Sequence, residues 1–197
     1  VTLLTAWRLV KTRFLHNAFD GDGARLYGGR WNSPGVPVVY TSATASLAVL
    51  ELFANIQRSE LLVSYSLLSC SFDETLVSQV RTTDLPMHLR QSPAPAELQA
   101  IGDEWLQSGR SAVLQVPSSI IEHESNYLLN PTHRGFKRIK QSTPEPFTFD
   151  LRLIKLSRRL TFLRSPSARP QRARRAARRV ARSAEATGQR TATRRLL

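Results

Sequence analysis

Between Ala43 and Asn55 the segment ATASLAVLELFAN sets Ala43, Leu47, Leu50 and Ala54 at helical spacing, the clearest periodic stretch of the chain. Thr41 and Ser42 stand just before it, where a hydroxyl can accept from the free N–H groups of a first turn. A second helix is predicted over Ala96–Ser108, entered after Pro93 and Pro95 and stopped by Gly109. Around these, β-branched and aromatic residues gather in short runs that predict strands. One lies within residues 1–14 (VTLLTAWRLVKTRF) and is followed by a polar, turn-rich loop holding Asn17, Asp20, Gly21, Asp22 and Gly23. Others cover Val36–Tyr40, Leu61–Cys70, Ala112–Val116 and the alternating Phe147–Leu156. Phe72 to Leu85 reads as a connection, and Ser118 and Asn126 flank a final loop. The order β, β, α, β, α, β, β predicts an α+β fold, one compact domain with a mixed sheet, rather than a regular βαβ series.

Charge changes the picture at one place. Of the 28 basic residues, 13 arginines lie in residues 157–197 with a single acid, Glu185, so that segment carries +12 and residues 1–156 only +1 of the total of +13. The expected division is therefore a nearly neutral domain over 1–156 and an Arg-rich tail over 157–197. Arg, Ala, Ser and Thr dominate the tail, too little apolar surface to offset ordering entropy, so disorder is expected, with residues 172–182 able to turn helical on an anionic partner. The same bias is what a GC-rich gene yields out of frame, and equally what a nucleic-acid or membrane-surface tail carries. No apolar run reaches the roughly 18 to 20 residues that span a bilayer, and Val1 opens no charged-then-apolar leader. The lone Cys70 fits a reducing compartment and is expected to be packed. A cytoplasmic protein is the expectation.

The common catalytic signatures are missing: no P-loop, HExxH, nucleophile elbow or metal-spaced Cys/His cluster occurs, and His16, His88, His123 and His133 are scattered. No metal is expected. What remains are polar residues in apolar or turn contexts: Arg30 between Gly29 and Trp31, Tyr40 ending a strand, Glu51 in an apolar helix, and Ser118 and Asn126. One reading is an Arg30–Glu51 ion pair that merely holds the fold, with Ser118 capping a turn. The other is a cleft in which an arginine, a carboxylate and an aromatic receive an anionic, ring-containing ligand that develops positive charge.

The stretches WRLVKTRF, YGGRWNSPG, VVYTSATASLAVLELFAN, VPSSIIEHESNYLLNP and FTFDLRLIK, in that order, resemble the RES-domain family, the toxin half of Xre–RES toxin–antitoxin pairs. The resemblance spans about 150 residues, the whole neutral domain. It implies a fold related to ADP-ribosyltransferases and cleavage of the nicotinamide–ribose bond of NAD+, by phosphorolysis or hydrolysis, with NAD+ as substrate, inorganic phosphate as a co-substrate and no further cofactor. Protein ADP-ribosylation is the alternative activity, and a non-enzymatic nucleic-acid-binding protein the reading supported by the tail alone. Carried over by motif, Arg30, Glu51 and Ser118 are the catalytic residues, with Ser125 a rival for the serine. Arg8, Tyr40 and Asn126 are substrate-binding, and Trp31 packs. The implied partner is an Xre-type helix-turn-helix antitoxin in a hetero-oligomer, with nucleic acid reached through the antitoxin or the tail and no membrane.

Overall fold

In the computed structural model, which describes residues 2–55, 63–150 and 152–153, the sheet is built on two nine-residue strands, β1 (Leu3–Lys11) and β3 (Tyr65–Asp73). They pair antiparallel without a break, from Leu3 opposite Asp73 to Lys11 opposite Tyr65. On the other side of β1 lies β2 (Val39–Ser42), then β6 (Ser125–Leu129), β5 (Val113–Pro117) and β4 (Val77–Gln79), while β7 (Lys140–Gln141) and β8 (Glu145–Phe147) both pair with β3. Among the described strands only β4 and β5 run parallel, so the sheet is mixed and the fold α+β, as the sequence pattern predicts. Among the described residues three α-helices complete it: α1 (Asp22–Tyr27), α2 (Ala45–Asn55) and α3 (Ala96–Ser108).

Alternation along the strands separates two apolar cores. One face collects Ala6, Val10, Val39, Leu68, Cys70, Phe72, Val113, Tyr127 and Leu129, with Phe19 and Ile139 packed on them. The other collects Leu114, Val116 and Leu128 under Trp31, Leu98 and Trp105, so α3 covers that face. Trp105 is 1% exposed, and its indole N–H donates to Ser111 Oγ (2.8 Å), which meets the hydrogen-bonding need of a buried tryptophan. The compact unit ends at Phe149, and a second unit begins at Asp150. Among the described residues no helix is long and apolar enough to cross a membrane.

Several expectations are corrected. Thr41 and Ser42 belong to β2 and do not cap α2; Thr44 does, its Oγ1 accepting from the Leu47 N–H at 3.1 Å. The turn-rich segment after β1 contains α1, entered from Gly21 in the left-handed region (φ 77°). The Phe72–Leu85 connection holds β4, and the final loop runs at its end into β6, a strand whose last three residues, Tyr127–Leu129, are buried. The last strand ends at Phe147. Phe149 leaves the ladder to make edge contacts at 5.1 Å with Phe53, Tyr65 and Phe147, and Asp150 Oδ1 then accepts from the Arg152 N–H (2.8 Å) at the start of a helical turn. Residue 151 and residues 154–197 lie outside the described residues, and with them every expectation about the Arg-rich tail; so do residues 61–62, where the third strand is predicted to begin.

Candidate functional site

Glu51 sits one turn beyond Leu47, on the same side of α2 as the buried Leu47 and Ala48 that fix the helix on the sheet. Its Oε1 accepts two hydrogen bonds, from Asn126 Nδ2 at 2.7 Å and from Ser118 Oγ at 3.2 Å. Ser118 follows β5 directly, and its oxygen also accepts from the Ile120 and Ile121 N–H groups (3.1 Å each). With both lone pairs engaged, the hydroxyl proton is directed at the carboxylate. The expected turn cap and the expected site serine are thus one residue.

Asn126 lies on β6 opposite Ser42. An ionised carboxylate only accepts, so the Asn126 amide nitrogen faces Glu51 and Oδ1 faces away. That oxygen is buried and has no hydrogen-bond partner. Ser125, the rival serine, is one residue earlier in the strand and so projects to the opposite face, where its Oγ accepts from Gln115 Nε2 (3.0 Å). It does not reach Glu51.

Arg30 stands in the loop between α1 and β2, and the loop is held from several sides. Asn32 is fully buried; its Nδ2 reaches the carbonyls of Ala24, Val36 and Ser33 at 2.9, 3.0 and 3.1 Å. Its Oδ1 accepts from the Tyr40 hydroxyl (2.8 Å), which in turn accepts from the Trp31 N–H (3.0 Å). Gly29 allows this closeness, since a Cβ there would overlap the Tyr40 hydroxyl. From α3, Gln99 Nε2 donates to Gly29 O (2.9 Å) and Asp103 Oδ1 accepts from the Ser33 N–H (3.0 Å). The Arg30 guanidinium itself donates to Leu89 O (2.6 Å) and to Gln91 O (3.2 Å from each terminal nitrogen).

The Arg30–Glu51 ion pair does not form. Arg30 is spent on two backbone carbonyls, Glu51 on two neutral side-chain donors. Tyr40 connects the two groups: it pairs with Leu128 while Ser42 pairs with Asn126, so Tyr40 and Asn126 share a face as diagonal neighbours, a spacing of about 7–8 Å. Burial pushes the Tyr40 hydroxyl well above its ordinary range, against the opposing effect of the Trp31 N–H. It is a neutral structural pin, and its ring packs against the core formed by Trp31, Leu98 and Trp105. Trp31, 2% exposed, packs in the core with Leu98 and Trp105.

Arg8 is placed differently. β2 bonds along its length to β6 but meets β1 at a single registered pair, Trp7 opposite Ser42. Where the ladder is open, Arg8 Nη1 donates to Tyr40 O (2.6 Å). Alternation puts Arg8 beside Ala6 and Val10, on the face opposite Ser42 and Asn126, so it is not brought into the Glu51 cluster. Its Nε is buried without a partner, and desolvation pushes the guanidinium down to about 10, against the favourable charge of Asp20. His133 caps a short turn, its Nδ1 accepting from the Gly135 N–H (2.9 Å). Among the described residues no group of three His, Cys, Asp or Glu side chains is placed to hold a metal ion.

Residues 5–150 match the RES domain, a span that takes in Arg8, Arg30, Tyr40, Glu51, Ser118 and Asn126. This chain belongs to the RES domain family. It is 39% identical over 148 residues to Toxin Res of Yersinia enterocolitica, covering 75% of this chain and 97% of that one. To the Prs ADP-ribosylating toxin of Sphingobium sp. it is 35% identical over 154 residues, 76% of this chain and 96% of that one. Among solved structures, the crystal structure of the M. tuberculosis MbcT–MbcA toxin–antitoxin complex has a chain of the same fold, with TM-score 0.62 at 19% identity, covering 81% of this chain and 89% of that one.

The residues that hold the Arg30 loop and that the motifs do not mark are Asn32, Gln99, Gly102 and Asp103. Asn32 has a local signal, an amide just before a Ser-Pro-Gly turn. The other three sit in an ordinary helix some 70 residues further on, and nothing in their spacing links them to Arg30.

Proposed function

We propose that the protein is the toxin of a toxin–antitoxin pair and acts by cleaving the nicotinamide–ribose bond of NAD+. The observation that carries this reading is the Glu51 carboxylate, oriented by Asn126 and Ser118 through Oε1 alone and placed on the same sheet face as Tyr40. The bond that breaks joins ribose C1′ to the pyridinium nitrogen. Nicotinamide leaves as a neutral base with the electron pair, and the ribose passes through an oxocarbenium-like state that an adjacent carboxylate stabilises. Glu51 supplies that charge and accepts from the ribose hydroxyls. Because its two donors are neutral, they orient the carboxylate without neutralising it.

The other residues divide the binding. Arg30 takes the pyrophosphate or incoming phosphate through a forked pair of charge-assisted bonds, exchanging its carbonyl partners for the anion. Arg8, buried on the opposite face of the sheet, holds the Tyr40 carbonyl and leaves the ligand to the other residues, and the Tyr40 ring lies against the nicotinamide. Asn126 acts on the ligand through Glu51, whose Oε1 its Nδ2 holds. Capture of the ribosyl cation by a phosphate oxygen gives ADP-ribose-1″-phosphate; capture by water gives ADP-ribose and a proton.

Transfer of ADP-ribose to a protein is the second reading, favoured by the name of the Sphingobium relative, an ADP-ribosylating toxin. An Xre-type antitoxin is the proposed partner, supported by the toxin–antitoxin complex that contains the similar fold. Incubating the purified protein with NAD+, with and without phosphate, and weighing the products by mass spectrometry tests the proposal. Nicotinamide release with a free ADP-ribose product is expected. No nicotinamide under either condition overturns it, and labelled protein in place of free product moves the assignment to the second reading.

A further inference from the structure

We propose that the face of α3 carrying Gln99, Gly102 and Asp103 is the positioning device for Arg30, and that Gln99 and Asp103 are positioning residues for anion binding. The inference rests on the reading of Arg30 as the group that grips the anionic part of NAD+. Two hydrogen bonds bracket the arginine: Gln99 Nε2 to Gly29 O at 2.9 Å on one side and the Ser33 N–H to Asp103 Oδ1 at 3.0 Å on the other. Between them the helix comes so close to the loop that a Cβ on Gly102 would overlap the Trp31 carbonyl oxygen. One helical turn therefore holds the residues at −1, +1 and +3 relative to Arg30. Trp105, buried in the next turn, anchors that turn in the core.

This bracing is selective. It fixes the Arg30 backbone while leaving the guanidinium on partners that an anion can replace, the carbonyls of Leu89 and Gln91. Those carbonyls belong to the segment leading into α3, so the same helix governs both where the arginine stands and what it releases. A forked arginine tolerates little misplacement. A loop without these contacts would still carry the charge and would lose the alignment.

The test is kinetic, on the full chain with NAD+. Replacing both residues, Gln99→Ala with Asp103→Ala, is expected to raise KM about tenfold, the value of one charge-assisted hydrogen bond, with kcat within about twofold. Asp103→Asn keeps an acceptor for the Ser33 N–H, and adding it to an otherwise parental chain in place of Asp103→Ala restores the KM. In an Arg30→Ala background the pair should add nothing further, because the residue they position is gone. An unchanged KM in the paired variant overturns the proposal, and so does an equal further loss in the Arg30→Ala background, which would show a general effect on folding. Failure of the parent to consume NAD+ strikes the functional reading instead. If the paired variant does not fold, the comparison of Asp103→Ala with Asp103→Asn decides, equal KM values counting against.

Discussion

Glu51 and Arg30 occupy the same side of the sheet and are fixed by different means. The carboxylate is oriented by side chains alone, one from the end of β5 and one from β6, each with a neutral donor. The arginine is oriented through its backbone, by Gln99 and Asp103 from α3 and by the Asn32–Tyr40 web, while its guanidinium rests on carbonyls. The difference suits the two tasks proposed for them. A carboxylate that must stabilise charge at one atom needs its own oxygens held still. An arginine that must capture an anion needs a fixed base and an exchangeable grip.

The comparison breaks most sharply at Glu51. Glu51→Gln keeps the shape of the side chain and loses the charge; NAD+ consumption should fall by about a thousandfold or more with an unchanged circular dichroism spectrum. A variant turning over at the parental rate would take the carboxylate out of the mechanism. At Arg30 the expected effect is smaller and of a different kind. Arg30→Lys keeps the charge and loses the fork, so KM should rise about tenfold while kcat stays near the parent, measured by initial rates across NAD+ concentration.

Two substitutions sharpen the contrast in stability. Tyr40→Phe strands the Asn32 Oδ1 and the Trp31 N–H in the Arg30 loop, and Ser118→Ala strands the Ile120 and Ile121 N–H groups beside Glu51. Each should cost about 2 kcal/mol, a fall in Tm of about 4–8 °C for a domain of this size. Tyr40→Phe should add mainly to KM and Ser118→Ala mainly to kcat. The reverse assignment would show that the two ends of the site are not separately organised.

The smallest effect lies away from both. Burial pushes the Cys70 thiol up to about 12, so the folded chain keeps a proton that the unfolded chain loses near its ordinary value of 9. The stability contributed is complete below pH 9 and is lost as pH rises towards 12. Cys70→Ala should flatten the alkaline limb of a denaturation series, and identical limbs would remove Cys70 as its source.

Much of this was legible in the residues. The α2 period placed Glu51 on a helix packed by Leu47 and Ala48, and the Gly-rich turn marked Arg30. The motif order named the family that the match over 5–150 establishes. What could not be read were relations across distance. Phe149 satisfies the alternating pattern of a strand, yet leaves the ladder because three aromatic rings surround it. Strand β6 looked like loop because its first residues are polar, Asn126 bonding Glu51 on one face and Ser125 bonding Gln115 on the other. The Arg30–Glu51 pairing was reasonable on charge alone and failed because each group had nearer partners fixed by the backbone. Gln99 and Asp103 matter through where α3 crosses the loop, which no local pattern encodes.

The single rung between Trp7 and Ser42 has a mechanical consequence. It divides the sheet into two half-sheets, β4-β5-β6-β2 and β1-β3-β7, that share almost no backbone bonding, with the Arg8 guanidinium bridging the seam at Tyr40. Each half has its own ladder of backbone hydrogen bonds, so an exchange experiment is expected to show two separately protected sets of amides that meet at this seam. A molecule bound across that line would act as a rivet.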